Sequence, residues 1–318
     1  MPNENDANAQ EDAMPETKAA DAMNEAEAHW VEGDRQRAAE AARRARLFYH
    51  EASDPSGEAS ALVLLGDIEL DDERLPAART AYVDARRLLA PSGEQGHQAS
   101  VLMRLGLLDR LEDKVDDAVD YFQSAIELFA AAGDVGGEAL ANMQIGHLAQ
   151  SQDREDDALM HYSHARALYN RAGDSLGEAH AMKALGHLRH MMGEPDTAHE
   201  LLEEAIGLFH ENGDALDEAE VTGALALLLR SIGNEDGAYD YFRAAEKLYQ
   251  SAGHLEGEAE MLMEIGEIEA GRNSKHARKV FEHAADLFER AGHVELAEVA
   301  RRAAESVNRA DAAGLTES

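Results

Sequence analysis

The sequence contains no cysteine. Disulfide frameworks, thiolate zinc sites and cysteine nucleophiles are thereby excluded, and a reducing cytoplasm is the compartment such a chain suits most simply. It also lacks any apolar run approaching the roughly 18 residues of a membrane span. Met1 to Asp21 is polar and acidic, without the basic start and apolar stretch of a secretory signal. A cytoplasmic protein with no membrane insertion is expected. Cations are scarce as well: 29 Lys plus Arg stand against 64 Asp plus Glu, a net charge of −35 at neutral pH. That field repels phosphate backbones and anionic headgroups, and no local basic patch offsets it, so nucleic acid is not an expected partner. Missing too are a Ser-His-Asp spacing, a Gly-rich phosphate loop ahead of a helix, and any strand to carry either. No enzyme and no cofactor are expected.

What is present is repetition. An apolar-small pair recurs as Leu65-Gly66, Leu105-Gly106, Ile145-Gly146, Leu185-Gly186, Leu225-Ala226 and Ile265-Gly266, at a constant 40-residue step. Twelve residues later come Ala78, Ala118, Ala158, Ala198 and Ala238, with Ala277 one place early. The aromatic or leucine series Tyr82, Phe122, Tyr162, Leu202, Phe242 and Phe281 follows, then Ala85, Ala125, Ala165, Ala205 and Ala245. Inside one unit the apolar positions step by three or four, as in Leu102, Leu105, Leu108 and Ala118, Phe122, Ala125, so each unit is a helix pair. The spacing predicts helices over about 135–150 and 155–171, with the others offset by forty. Gly133, Gly173 and Gly213 suit the left-handed helix stop, and Asp134, Asp174 and Asp214 can then cap the next helix. Between the helices of a pair, Gly193-Glu194-Pro195 and Gly233-Asn234-Glu235 supply short turns. Glycine inside a helix costs about 1 kcal/mol against alanine; its recurrence at Gly66, Gly106, Gly146, Gly186 and Gly266 therefore implies close approach of the second helix.

High net charge is also a mark of disorder, but 44% hydrophobic residues at helical spacing supply a core. Disorder is expected only in an acidic tail over 1–19 and a second tail over 310–318. Between them the register predicts seven units near 20–50, 57–92, 97–132, 137–172, 177–212, 217–252 and 257–292, closed by a capping helix over 293–309. The cap reads as apolar through Val294, Leu296, Val299, Ala303 and Val307, with Arg301, Arg302 and Glu305 turned away. Trp30, the single tryptophan, falls in the degenerate first unit, where packing of the N-terminal end outweighs ligand stacking as its role.

The order apolar-Gly, Ala, Tyr/Phe, Ala and closing Gly-Asp resembles the tetratricopeptide repeat over about residues 20 to 292. The usual repeat is near 34 residues; here it is forty, with an added Asp-x-x-Gly-Glu-Ala entry at Asp134 to Ala139 and Asp174 to Ala179. That longer form resembles the repeats of Partner-of-Inscuteable-type adaptors, kinesin light chains and bacterial peptide-sensing regulators. The resemblance implies an all-α, right-handed α-solenoid of about seven antiparallel helix pairs, whose first helices line a concave groove for a protein or peptide.

On the first helix of each pair the core stripe is that of Leu62, Leu65 and Ile68, so positions off it are assigned to the groove. These give Val63, Asp67 and Leu70; Met103, Leu107 and Arg110; Met143, His147 and Gln150; Lys183, His187 and His190; Gly223, Leu227 and Arg230; Met263, Glu267 and Ala270. A mixed His, Arg, Lys, Gln and Met centre suits a partner with carboxylates among leucines, while the ends, with Asp67, Glu260, Glu264 and Glu267, suit basic residues. The expected role is a scaffold or adaptor, with homo-oligomerisation left open. A peptide-responsive bacterial regulator is a second reading, although residues 20–49 are too short for the helical bundle that the resembled phosphatases place before their repeats. The third is a metal site from His147, His187 and His190 with His180. Neighbouring helices about 8–10 Å apart are too far for easy shared ligation at about 2 Å per bond. Of the positions matching the lysine and asparagine clamp for a terminal carboxylate, only Lys183 is of the right type.

Overall fold

The computed structural model describes residues 14–312, with side chains as far as Val307. Among the described residues are fifteen α-helices and no strand. The chain divides into two compact units at residue 152. The first holds α1 (Pro15–Val31), α2 (Arg35–Glu51), α3 (Pro55–Asp71), α4 (Leu75–Leu89), α5 (Gln95–Leu111), α6 (Val115–Ala132) and α7 (Val135–Ser151). The second holds α8 (Glu155–Ala172), α9 (Ser175–Met191), α10 (Pro195–Asn212), α11 (Ala215–Ser231), α12 (Glu235–Ala252), α13 (Leu255–Arg272), α14 (Ser274–Arg290) and α15 (Val294–Ala312). Within each unit, neighbouring helices pack as antiparallel hairpins, with the odd-numbered helices α3, α5, α9, α11 and α13 first in their pairs.

The helices begin and end where local chemistry dictates. Gly133, Gly173, Gly213 and Gly253 adopt φ of 70–74° and stop α6, α8, α10 and α12. The next residue's N–H then reaches back five positions, as from Asp134 to the Phe129 carbonyl at 2.9 Å. The side chains of Asp134, Asp174 and Asp214 accept from the backbone N–H of Gly137, Gly177 and Asp217, so one Gly-Asp pair closes one helix and opens the next. Pro15 at the first position of α1, followed by Glu16, starts that helix inside the stretch expected as a tail. At the other end α15 continues to Ala312 rather than stopping at 309. The rest of the expected tails, 1–13 and 313–318, lies outside the described residues.

The glycine seam has a physical cause. A methyl built on Gly66 would sit 2.3 Å from the Tyr82 ring, on Gly106 2.6 Å from Phe122, and on Gly266 2.5 Å from Phe281. The aromatic of the second helix thus lies flat on bare backbone of the first, and Tyr82, Phe122 and Phe242 are fully buried. A second seam joins successive hairpins: Gly57, Gly137, Gly177 and Gly257 receive the rings of Tyr49, Phe129, Tyr169 and Tyr249 from the preceding pair. This is why the entry motif has glycine at its fourth place. The glutamate after it clasps the same preceding helix: His50 binds Glu58 at 2.9 Å, Asn170 donates to Glu178 at 2.8 Å, and Gln250 donates to Glu258 at 3.0 Å.

The capping helix is rotated from its expected setting. Its buried face is Ala297, Ala300, Ala304 and Val307, while Val294, Leu296 and Val299 are exposed. Small alanines let α15 lie close on the Ala277 and Phe281 cluster, an advantage that a pattern of large apolar residues does not reveal. Trp30 packs against the alanine cluster of α1 and α2 and donates its indole N–H to Asp71 at 3.0 Å.

Candidate partner-binding face

The first helix of each pair turns one stripe outward, and its register differs slightly from the expected one. Met103 and Met143 are 5% and 7% exposed, so these two candidate groove residues are interior. Gly223, in the same register, shows the reason: a methyl there would meet the Met261 sulfur at 3.1 Å, so this position faces the neighbouring first helix rather than solvent. The open column lies four residues on. Asp67 and Leu107 are half-buried and His147 exposed in the first unit; His187, Leu227 and Glu267 are exposed in the second. Arg110 is exposed, while Gln150, Lys183, His190 and Arg230 are half-buried. The stripe also contains Glu264, expected at the groove's end, and Arg104, Gln144, Ala184 and Ala224, half-buried residues which the register in 63, 67 and 70 passed over.

In the first unit, Arg104 on α5 grips Asp67 on α3 with two parallel bonds, Nε to Oδ1 at 2.7 Å and the terminal nitrogen to Oδ2 at 2.9 Å. The hydroxyl of Tyr82, passing the bare backbone of Gly66, donates to the same Oδ1 at 2.6 Å. Burial, with the Asp67 charge beside it, drives the Tyr82 phenol far above its ordinary pKa, so it remains a donor.

In the second unit, Lys183 on α9 is held by Asp217 at 3.1 Å and Glu220 at 2.9 Å, both on α11. Desolvation opposes the Lys183 charge, but the two carboxylates prevail and its pKa is raised. Arg230 on α11 pairs with Glu264 and with Glu267 at 3.1 Å, both on α13. Among the described residues, two of the three cations expected to receive a partner's carboxylates, Lys183 and Arg230 but not Arg110, are therefore already engaged. His187 lies below the ordinary imidazole pKa because desolvation, and then the Lys183 ammonium, disfavour its charge against the pull of Glu220. Among the described residues no three His, Asp or Glu side chains converge as metal ligands. No described helix is long and apolar enough to cross a membrane.

The chain's likeness to known proteins follows this geometry. Residues 137–211 match the family model for the tetratricopeptide repeat. No curated protein matches the sequence. Among solved structures, a signal transduction ATPase with numerous domains from Pyrococcus horikoshii, carrying a tetratricopeptide repeat sensor, is similar at TM-score 0.73 and 13% identity. That match covers 88% of this chain and 44% of the other. BtubC from P. vanneervenii is similar at TM-score 0.60 and 17% identity, over 76% of this chain and 94% of its own. The Rap conjugation gene regulator of plasmid pLS20, in complex with the Phr* peptide, is similar at TM-score 0.52 and 15% identity, over 86% and 84%. At these identities the likeness is one of fold.

Proposed function

We propose that this chain, of which residues 137–211 match the tetratricopeptide repeat model, is a scaffold or adaptor that binds a peptide or protein segment on the outward stripe of its first helices. The docking residues are Leu107, Arg110, His147 and Gln150 in the first unit, and Lys183, His187, His190, Leu227 and Arg230 in the second. It acts by binding rather than by catalysis, in the cytoplasm, on a partner that is neither nucleic acid nor lipid. The carrying observation is made in each unit by itself: the column Asp67, Leu107 and His147 in the first, and the column His187, Leu227 and Glu267 in the second. Six positions of one register, all on helices otherwise committed to the core, carry charge, imidazole or leucine instead of one repeated residue. A structural surface needs no such variety, whereas a recognition surface does. The Phr* peptide bound by the plasmid pLS20 regulator adds support, since that protein shares the fold.

The test uses dodecapeptides selected from a random phage library against the full chain. Each selected peptide should bind one of the Leu107→Gln and Leu227→Gln variants, according to the unit it occupies, about tenfold more weakly, and should bind a Leu47→Gln variant, changed on α2, as well as it binds wild type. Peptides that ignore the first two changes would place the docking surface elsewhere.

A further inference from the structure

The second unit's stripe has a distinctive make-up. Helices α9, α11, α13 and α15 are tied along it, by Lys183 to Asp217 and Glu220, by Arg230 to Glu264 and Glu267, and by Met263 and Ala270 packing in one cluster with Ala303. Its middle is bald: the register position that carries Arg104 and Gln144 in the first unit carries Ala184 on α9 and Ala224 on α11. One turn along α11 from Ala224, Leu227 is 43% exposed. An apolar floor of this kind is open to a side chain of leucine size.

Charge decides what accompanies that side chain. Of the four cations on α9, α11 and α13, Arg189 and Arg272 pair with Glu194 and Asp236 at the starts of second helices, which leaves Lys183 and Arg230 against six carboxylates, Asp217, Glu220, Glu256, Glu260, Glu264 and Glu267. Both cations are already bound by four of the six. Glu256 has His293 at 3.3 Å, and Glu260 has no ion-pair partner among the described residues. Desolvation and the neighbouring Glu256 raise the Glu260 carboxyl above its usual range, and desolvation raises Glu264 although Arg230 touches it. His187 on α9 does not supply the missing charge, since desolvation and the Lys183 ammonium disfavour its charged form. A carboxylate-bearing segment would have to break existing pairs and enter a surplus of its own sign.

We infer, resting on the docking reading above, that the α9–α15 stripe takes a partner segment in which lysine or arginine flanks an apolar residue of leucine size. The apolar side chain covers Ala184, Ala224 and Leu227. The cations go to Glu220 and Glu260 towards the helix starts and to Glu264 and Glu267 along α13. The first unit, with Arg104 and Gln144 filling its floor, is not part of this specificity.

The phage-selected dodecapeptides test the chemistry. Peptides synthesised from the selected sequences are titrated calorimetrically against the wild-type chain, against Glu220→Gln/Glu260→Gln, and against Glu200→Gln/Asp240→Asn. The last pair removes the same charge from exposed positions on α10 and α12. The selected sequences should be enriched in Lys or Arg beside Leu, Ile or Met. They should bind the Glu220→Gln/Glu260→Gln chain about tenfold more weakly and the control pair almost as tightly as wild type. Equal losses on both pairs would reveal unspecific attraction of a cationic peptide to an acidic protein and overturn the inference. Acidic or neutral peptides that still depend on Leu227 would overturn it while leaving the docking reading intact. Peptides indifferent to both Leu107→Gln and Leu227→Gln, or a library yielding no binder, would overturn the two together.

Discussion

Asp113 and Asp153 sit in the left-handed region at φ of 60° and 56°, as does Glu73 at 59°, in the turn between the two helices of a pair. Gly193 and Gly233 occupy the same register at 79° and 82°. A side chain in that region costs roughly 1–2 kcal/mol, which glycine avoids at the expense of a freer unfolded chain. Glu73 is exposed, so Glu73→Gly should stabilise the protein by on the order of 0.5–1 kcal/mol, read as a higher denaturant midpoint. A lower midpoint would mean that the glutamate side chain contributes more than its backbone loses. Half of this was legible in the sequence: Gly193 and Gly233 announce the turn, but Glu73 and Asp113 do not, because residue type alone does not disclose a left-handed backbone.

At the scale of the element, the seam between the helices of a pair governs stability. Phe122 lies against Gly106 so closely that a larger side chain must displace the ring or separate the helices. In α11 the corresponding place is Ala226, opposite Phe242, so a single methyl can be accommodated where the hairpin has adjusted; a decisive change must exceed it. Gly106→Leu should cost about 1–3 kcal/mol by overpacking. The same change at Gly207, exposed in the middle of α10 with nothing within 4 Å of the added carbon, should instead stabilise by up to about 1 kcal/mol. Thermal melts of the two variants moving in opposite directions would confirm the seam, and parallel shifts would refute it. The seam within a pair follows from sequence, because glycine and aromatic recur at fixed places. The seam between pairs was harder to see, since Gly57, Gly137, Gly177 and Gly257 read equally well as helix-start residues.

For the whole molecule, the charge of −35 works against compaction. Raising salt from about 0.01 M to about 0.1 M shortens the screening length from about 30 Å to about 10 Å. The melting temperature should therefore rise over that range, as screened self-repulsion outweighs the loss of half-exposed pairs such as Arg104 with Asp67. A fall would show that the cross-helix ion pairs dominate. Helix number, hairpin pairing and the two capping devices were all legible at this scale, because forty-residue recurrence averages local ambiguity away. The stripe of candidate docking residues was legible in part. Periodicity located Leu107, His147, His187 and Leu227 on the open column, but it also included Met103 and Met143, which turn into the contact with the neighbouring first helix. An α-helix off its core stripe has two flanks, and only packing between hairpins tells which one stays wet.

The clasp of Glu58, Glu178 and Glu258 onto the end of the helix before each of them sets a rule for how such a chain can lengthen or shorten. The hairpins α9–α10 and α11–α12 carry the receiving half of the clasp at their entry, Glu178 and Glu218, and the offering half at their exit, His210 and Gln250. Excision or duplication of either of these forty-residue modules rejoins matching halves, whereas removal of a lone helix strands a carboxylate and an uncovered ring. A change of length at these two hairpins is accordingly expected to come in whole modules.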